Sequence, residues 1–493
     1  MKKLILHIFF TTTITTINAQ AVWNNTTFVH RNNQQILDGQ NNVIKLNGVN
    51  LGGWLMWEGW IWGGGFTAEK DIYNNIQTIV GSTSASNFRD SVYHNFITKA
   101  DIQKISQECF NVVRIPFNHN ILEDDFNPYI YKQSGWNLLD SVLQWCEDYS
   151  VYAVLDLHSA PGGQSTSFTA DPDFIINLWN GSINQTRTKR LWKAIANRYQ
   201  NRGIIAAYDL LNEPNVTSDA DMLTMYHDII DSVRSVDNNH MLSIEGNNYA
   251  QNFSMFTSLP DPNMNFQFHM YSWFYNNADS IAAHINYNTN ISNSLNVPIW
   301  CGEWGENDYA HLDTTLTILN NPIYKVSGSS SWTWKKMKTT LQYPYYNGID
   351  TTLEWNTSMA WVSNTTLPAP LPLVMQTGIN SFINNIKEQN CTFNIPLSNI
   401  LNACLPSAIK DETEQNNINI YPNPYTTQTT IAFIKEQKNT TIKITDLLGK
   451  EIKTINFTGT QLVIDKGEMK AGIYFVQTTD TQKHIYNRKI IIQ

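Results

Sequence analysis

Long apolar runs, basic stripes and metal-type cysteine spacings are what this chain of 493 residues has little of. The 33 Lys+Arg are outnumbered by 42 Asp+Glu, a formal net charge of -9, and no basic stripe gathers along the chain. That argues against nucleic acid or an anionic membrane as the main partner. No Cys/His spacing among the 5 cysteines suggests a zinc site, and nothing else in the sequence calls for a metal or cofactor. Beyond the N-terminus no segment is apolar enough to cross a membrane.

The N-terminus itself reads Met1-Lys2-Lys3, an apolar run from Leu4 to Phe10, then Ile17-Asn18-Ala19-Gln20. A basic start, a short apolar stretch and a small residue before the cut predict a secretory signal peptide over 1–19. Aromatic residues are plentiful, with 16 Trp, 22 Tyr and 21 Phe. Many fall in loop-like segments, and flat aromatic faces stack on sugar rings.

From about Asn42, short β-branched runs alternate with amphipathic stretches, the pattern of a parallel sheet wrapped by helices. Expected strands are Val43 to Val49, Val112 to Pro116, Val151 to Leu157, Ala206 to Leu211, Met241 to Glu245, Asn265 to Phe268, Val297 to Gly302 and Ser329 to Trp334. That number suits a closed α/β barrel of the (β/α)₈ or TIM type, with a last helix over Val374 to Glu388.

In such a barrel the chemistry sits at the C-terminal strand ends, and nearly every expected strand delivers a polar residue there. Arg114 ends the second, His158 the third, Asn212 and Glu213 the fourth, His269 and Tyr271 the sixth, Glu303 the seventh and Trp334 the eighth. Leu210-Leu211-Asn212-Glu213-Pro214 and Ile299-Trp300-Cys301-Gly302-Glu303-Trp304 each carry a glutamate at the close of an apolar stretch. Two such carboxyl groups are what glycoside hydrolysis needs, one to protonate the leaving oxygen and one to attack or activate water.

With these motifs in order, residues from about Val22 to Asn390 resemble glycoside hydrolase family 5, a group of retaining (β/α)₈ glycosidases. The resemblance implies that Glu213 is the acid/base and Glu303 the nucleophile. It also implies that Arg114, His158, Asn212, His269, Tyr271 and Trp334 surround the sugar at the point of cleavage, with Trp334 stacked beneath it. Physically, Arg114 is the cation to keep Glu303 ionised, and repulsion from Glu303 should raise the pKa of Glu213. Asn212 should bond the sugar 2-hydroxyl, and Tyr271 should donate to Glu303.

The run Leu46-Asn47-Gly48-Val49-Asn50-Leu51-Gly52-Gly53-Trp54-Leu55-Met56-Trp57-Glu58 resembles the exo-β-1,3-glucanase-like branch, where a carboxylate at the place of Glu58 binds hydroxyls of a terminal glucose. The segment Asp156 to Gln164 resembles it too, whereas the Trp- and Gly-rich stretch Trp57 to Gly65 departs from it. A β-glucan or β-glucoside substrate follows, with an endo-β-1,4-glucanase or a β-glucosidase as the alternatives. A secreted protein that binds glycans without cleaving them is the reading from a different class, and it would not need both carboxylates.

Composition shifts after about Asn390, and a linker is expected over 391–418 between a catalytic domain of 20–390 and a small all-β, sandwich-like domain over 419–493. Tyr421-Pro422-Asn423-Pro424, Asp446-Leu447-Leu448-Gly449-Lys450, Ala471-Gly472-Ile473-Tyr474-Phe475-Val476 and Lys489 before Ile490 resemble the C-terminal sorting domain of the type IX secretion system. That implies the type IX machinery as partner and a secreted or cell-surface location. A carbohydrate-binding sandwich is the alternative, disfavoured because the tail lacks a row of tryptophans. In an oxidising compartment Cys391 and Cys404 are spaced to close a short loop, and Cys109, Cys146 and Cys301 are expected to pack as small hydrophobes.

Overall fold

The computed structural model describes residues 27–173, 175, 177–338, 344–401, 418–446, 450–479 and 485–492. The expected signal peptide of 1–19 and most of the expected linker lie outside the described residues. The chain divides into two compact units between residues 404 and 405.

Eight parallel strands close into a barrel in the first unit. In chain order they are β1 (Gly48–Asn50), β2 (Val112–Asn118), β3 (Tyr152–Ser159), β4 (Ile205–Asp209), β5 (Met241–Glu245), β6 (Met264–Tyr271), β7 (Ile299–Gly305) and β8 (Val326–Trp332). Sequential strands are neighbours throughout, and β8 returns to β1 through the pairs Ser330–Gly48 and Ser331–Val49. β1 is shorter than expected because Val43–Ile44 joins His30–Asn32 and Gln35–Leu37 in a separate antiparallel sheet. Arg31 ties that sheet to the barrel by donating to the carbonyls of Pro262 (2.6 Å) and Asn296 (2.7 Å).

Helices pack their apolar stripes on the outside of the strands, as the period of their hydrophobic residues dictates. In Gln133–Tyr149 the buried residues Leu138, Leu139, Val142, Leu143 and Cys146 recur at helical spacing. Asp219–Arg234 starts where the Ser218 hydroxyl accepts the N–H of Asp221, and Ala278–Leu295 where Asn277 and Ser280 form a capping box. Among the described residues, no helix is long and apolar enough to cross a membrane.

The aromatic excess goes largely into a second packed layer rather than to an exposed surface, which corrects the expectation of sugar-stacking loops. Trp54, Trp57 and Trp62 are completely buried. Trp62 meets Trp57 at 4.7 Å and Phe382 at 5.0 Å, and Trp355 stacks on Phe382 at 4.0 Å. The helical segment Glu69–Asn95, broken at Gly81 with φ 80°, and the helices Leu353–Ser363 and Pro372–Asn385 supply the other side of this layer. The first unit also runs past the expected boundary at 390. Thr392–Phe393 pairs with Asn347–Ile349, and in the helix Ile395–Leu401 the Ser398 hydroxyl donates to Glu108.

The cysteines depart from expectation. Cys391 is a free thiol, so the Cys391–Cys404 bridge does not form, and Cys404 lies outside the described residues. Cys109 is disulfide-bonded instead of packed as a hydrophobe. It sits in a left-handed turn with φ 58° and is only half-buried, ahead of β2 rather than inside the barrel. Cys146 and Cys301 are free and buried, as expected.

The second unit is all antiparallel: β9 (Ile418–Tyr421), β10 (Gln428–Asp446), β11 (Glu451–Asp465), β12 (Gly472–Thr479) and β13 (Ile485–Ile492). β10 is long enough to serve two neighbourhoods, pairing β9 near its start and β12 near its end, with β11 alongside both. Irregularities between Ala432 and Thr440 let it bend between them. Alternate residues Ile431 and Phe433, then Ile442 and Ile444, point into a core with Tyr474, Val476 and Ile490.

Candidate active site

The eight strands bring the polar residues of their C-terminal ends together around one buried guanidinium. Arg114 of β2 donates from Nε to Asp209 (2.8 Å), from NH1 to Glu303 (2.5 Å) and Asn50 (3.2 Å), and from NH2 to Asn212 (2.8 Å) and Glu245 (3.1 Å). Asp156 lies 3.0 Å from NH2. Four carboxyl groups around one cation cannot all hold full charge out of water. Burial accordingly pushes Asp156 well above its ordinary value and Asp209 up to about 6 despite the nearby Arg114. One oxygen of each is buried with no hydrogen-bond partner.

Glu303 goes the other way. Burial alone would raise it, but His269 and Arg114, with the donated Tyr271 hydroxyl (2.6 Å), bring it down to about 2. Glu213, just beyond β4, is raised above its ordinary 4.5 first by burial, with repulsion from Glu303 and Glu245 adding to it and the bond to His269 opposing it. His269 on β6 is 2.8 Å from Glu213 through Nδ1, 3.6 Å from Glu303 through the same atom, and 3.3 Å from Glu245 through Nε2. Burial would deprotonate it, but these three carboxylates hold its pKa well above the usual imidazole range.

Glu213, His269 and Glu303 each place one nitrogen or oxygen within 4.8 Å of the others. Such a trio has the donor types of a metal site. Both oxygens of Glu303 already accept hydrogen bonds, one from Arg114 and the other from Tyr271.

His158 is wholly enclosed. Its Nδ1 meets Asp156 at 2.7 Å, its Nε2 lies 3.4 Å from the Asn212 amide, and its ring stacks on Trp332 at 5.5 Å and 15°. Burial lowers its pKa to about 4, so it is a neutral strut between Asn212 and Trp332. Gln164 ties the same loops together by donating to the carbonyls of His158 and Asn212, both at 2.7 Å.

Trp334 is not at the site, contrary to expectation. It is 0% exposed, donates from Nε1 to Asp101 (3.0 Å) and stacks on Tyr346 at 5.0 Å. The two lysines after it are no sign of an exposed end. Lys335 is itself buried against Asp101 (2.7 Å) and the carbonyls of Phe96 and Ile386. Trp332, two residues earlier and the last residue of β8, is the tryptophan beside His158.

Glu58 is buried, with Trp60 donating to its Oε2 at 2.7 Å and its Oε1 left without a partner. Burial raises it well above its ordinary value, and repulsion from Glu303, Glu306 and Glu213 adds to the rise. On the opposite margin, Trp273 stacks on Tyr271 at 4.4 Å and 7° while remaining 54% exposed.

Asn50, Asp156, Gln164, Asp209, Glu245, Gln267 and Trp332 were not singled out by sequence reasoning. Glu245 does end an expected strand, the one signal that could have found it. Gln267 could be read only with the fold in hand. It donates to Asp209 (2.8 Å) and Glu245 (2.6 Å), and a Cβ at Gly302 would come within 2.3 Å of its side chain.

Residues 73–338 match the Cellulase family, glycosyl hydrolase family 5. Residues 419–493 match the secretion system C-terminal sorting domain, which marks the chain for type IX export to the cell surface or beyond. The chain is 34% identical over 223 residues to a Beta-xylosidase of Phanerodontia chrysosporium, covering 45% of this chain and 47% of that protein. It is 28% identical over 230 residues to Endoglucanase C of Acetivibrio thermocellus, covering 46% and 58%. Probable glucan 1,3-beta-glucosidase A of Aspergillus fumigatus is 31% identical over 207 residues, covering 40% and 48%. The chain thus spans about half the length of the curated relatives it matches. Among solved structures, rutinosidase from Aspergillus niger shares the fold with a TM-score of 0.50 and 20% identity, over 61% of this chain and 92% of that one. With the family match running through more than half of the sequence and across the strand ends just described, the chain belongs to glycosyl hydrolase family 5.

Proposed function

We propose that the protein is a retaining β-glycosidase that hydrolyses β-glucosidic bonds of glucans or glucosides, acting as an exo-β-1,3-glucanase. The observation that carries the mechanism is a pair of carboxyl groups, one oxygen of each within 4.8 Å of the other, whose protonation is driven in opposite directions. Retaining enzymes set theirs ~5 Å apart, and inverting ones leave ~6.5 Å or more for a water.

In the first step the Glu213 proton passes to the glycosidic oxygen as the C–O bond breaks, and a Glu303 oxygen bonds to the anomeric carbon. In the second, Glu213, now a carboxylate, takes a proton from water. The hydroxide forms the new bond to the anomeric carbon, and the ester to Glu303 breaks. Asn212, fixed by Arg114 and flanked by His158, is placed to bond the sugar 2-hydroxyl. Trp332 is the apolar floor in the role first expected of Trp334.

Exo action is supported by Glu58. A buried carboxyl with one unpartnered oxygen suits hydroxyls of a terminal sugar better than a chain running through an open cleft. The exposed faces of Trp273 and Phe274 suit the leaving-group sugar. The relatives differ among themselves in sugar and linkage by their names, so products decide the specificity. Laminarin should yield glucose as its first product, with the β-anomer appearing first by NMR. Short oligomers from carboxymethylcellulose, or xylose from an aryl xyloside, as the preferred product would replace the specificity. First-formed α-glucose would overturn the mechanism. Activity needs Glu303 ionised and Glu213 protonated, so kcat/KM should persist as pH falls until it nears about 2, and decline as pH rises through the raised pKa of Glu213.

A further inference from the structure

Glu213 is held in a backbone conformation that its side chain does not favour. Its φ is 45°, in the left-handed region, which a residue with a Cβ disfavours. Such a conformation persists only where the surroundings over-determine it. The residue that does so is Glu245, from the end of the neighbouring β5. The Glu213 N–H donates to Glu245 Oε2 at 2.6 Å. The other oxygen, Oε1, accepts from Gln267 (2.6 Å) and Arg114 (3.1 Å) and faces His269 Nε2 at 3.3 Å. His269 in turn grips the Glu213 carboxyl through Nδ1. One fully buried carboxylate therefore holds the acid/base at both ends, by its backbone directly and by its carboxyl through an imidazolium.

We propose that Glu245 is a positioning residue for acid catalysis, setting the place and direction of the Glu213 proton while touching no substrate itself. The inference rests on the reading of Glu213 as the acid/base. Its geometry makes a specific demand. A group that only stabilises the barrel would, when weakened, lower the rate on all substrates alike. A group that aims the acid matters in proportion to how badly the leaving oxygen needs a proton.

The test is a series of aryl β-glucosides spanning leaving groups from dinitrophenol to unsubstituted phenol, with kcat/KM compared between the full-length protein and Glu245→Gln. The amide keeps the size and can still accept the Glu213 N–H, but it gives up the charge that binds His269. The expected result is a loss of about 100-fold on phenyl glucoside and less than about 5-fold on the dinitrophenyl compound, so that the rate becomes steeply dependent on leaving-group pKa. Glu245→Asp, which keeps the charge and shortens the reach, should fall between the two. Should Glu245→Gln not fold, Gln267→Leu, which removes the donor on the other side of Glu245, should tilt the series the same way. Equal losses across the series in the variant that folds would overturn the proposal. Failure of the wild-type protein to cleave any member, or a series left untilted by Glu213→Gln, would instead overturn the assignment of Glu213.

Discussion

The two units of this chain bury opposite kinds of chemistry. At the top of the barrel Arg114, Asp156, Asp209, Glu245, His269 and Glu303 are all withdrawn from water. In the C-terminal unit the buried polar side chains, among the described residues, are the threonines Thr429, Thr440 and Thr478, and the core is Ile, Val, Phe and Tyr. A sorting domain has to present a shape, and a β-branched core does that without buried charge. Burying several charges around one arginine gives no advantage in stability over apolar packing. Their presence in one unit and not the other fits the acid/base chemistry proposed for the barrel.

The largest effect that would break this contrast lies in the paired carboxyls. Glu303→Gln and Glu213→Gln should each lower kcat/KM on glucan by ~10³-fold or more while the fold is retained, as circular dichroism would show. Near-normal turnover in either would remove the reason for the buried network. A middle-sized effect separates the two tryptophans of β8 and its following turn. Trp332→Ala should cost ~10²-fold in kcat/KM and, because its ring is buried, also destabilise the protein by ~3 to 5 kcal/mol. Trp334→Phe should leave turnover nearly intact but destabilise the protein by ~1 to 3 kcal/mol in a denaturant titration, because Asp101 loses a buried donor. The reverse pattern would return Trp334 to the site. The smallest effect on chemistry is expected from the tail. Removing residues 419–493 should leave the turnover number within about 2-fold of the full-length value, while fractionation finds the enzyme retained in the periplasm. Unchanged secretion would break the division of labour between the units.

Much of this was legible from the chain alone, and the failures have physical causes. Met241–Glu245 was read to the residue because its apolar run is bounded on both sides. That Glu213, Glu303, Arg114, Asn212, His269 and Tyr271 come together was legible because strand ends in a barrel converge. Trp334 misled because two tryptophans stand two residues apart at the end of β8, and sequence alone does not show that the later one, beside a lysine buried on a carboxylate and two carbonyls, turns into the core. The Trp-rich segment misled because the helices that cover it, from 353 onward, lie nearly three hundred residues away. Glu245 and Gln267 stayed hidden because a strand of alternating residues offers both faces equally, and only barrel closure decides which face becomes the inside.

The glycine before Glu303 carries a consequence for anyone wishing to remodel this site. The space a side chain would occupy at Gly302 is already filled by the Gln267 amide. The two positions therefore share one volume across neighbouring strands, and neither can be enlarged alone. Libraries that vary 302 and 267 separately will sample mostly dead sequences, whereas paired changes that trade bulk from one strand to the other keep the interior filled. The most accessible route to altered chemistry at Glu303 thus runs through a correlated pair, and an enlarged residue at 302 would require a shortened one at 267.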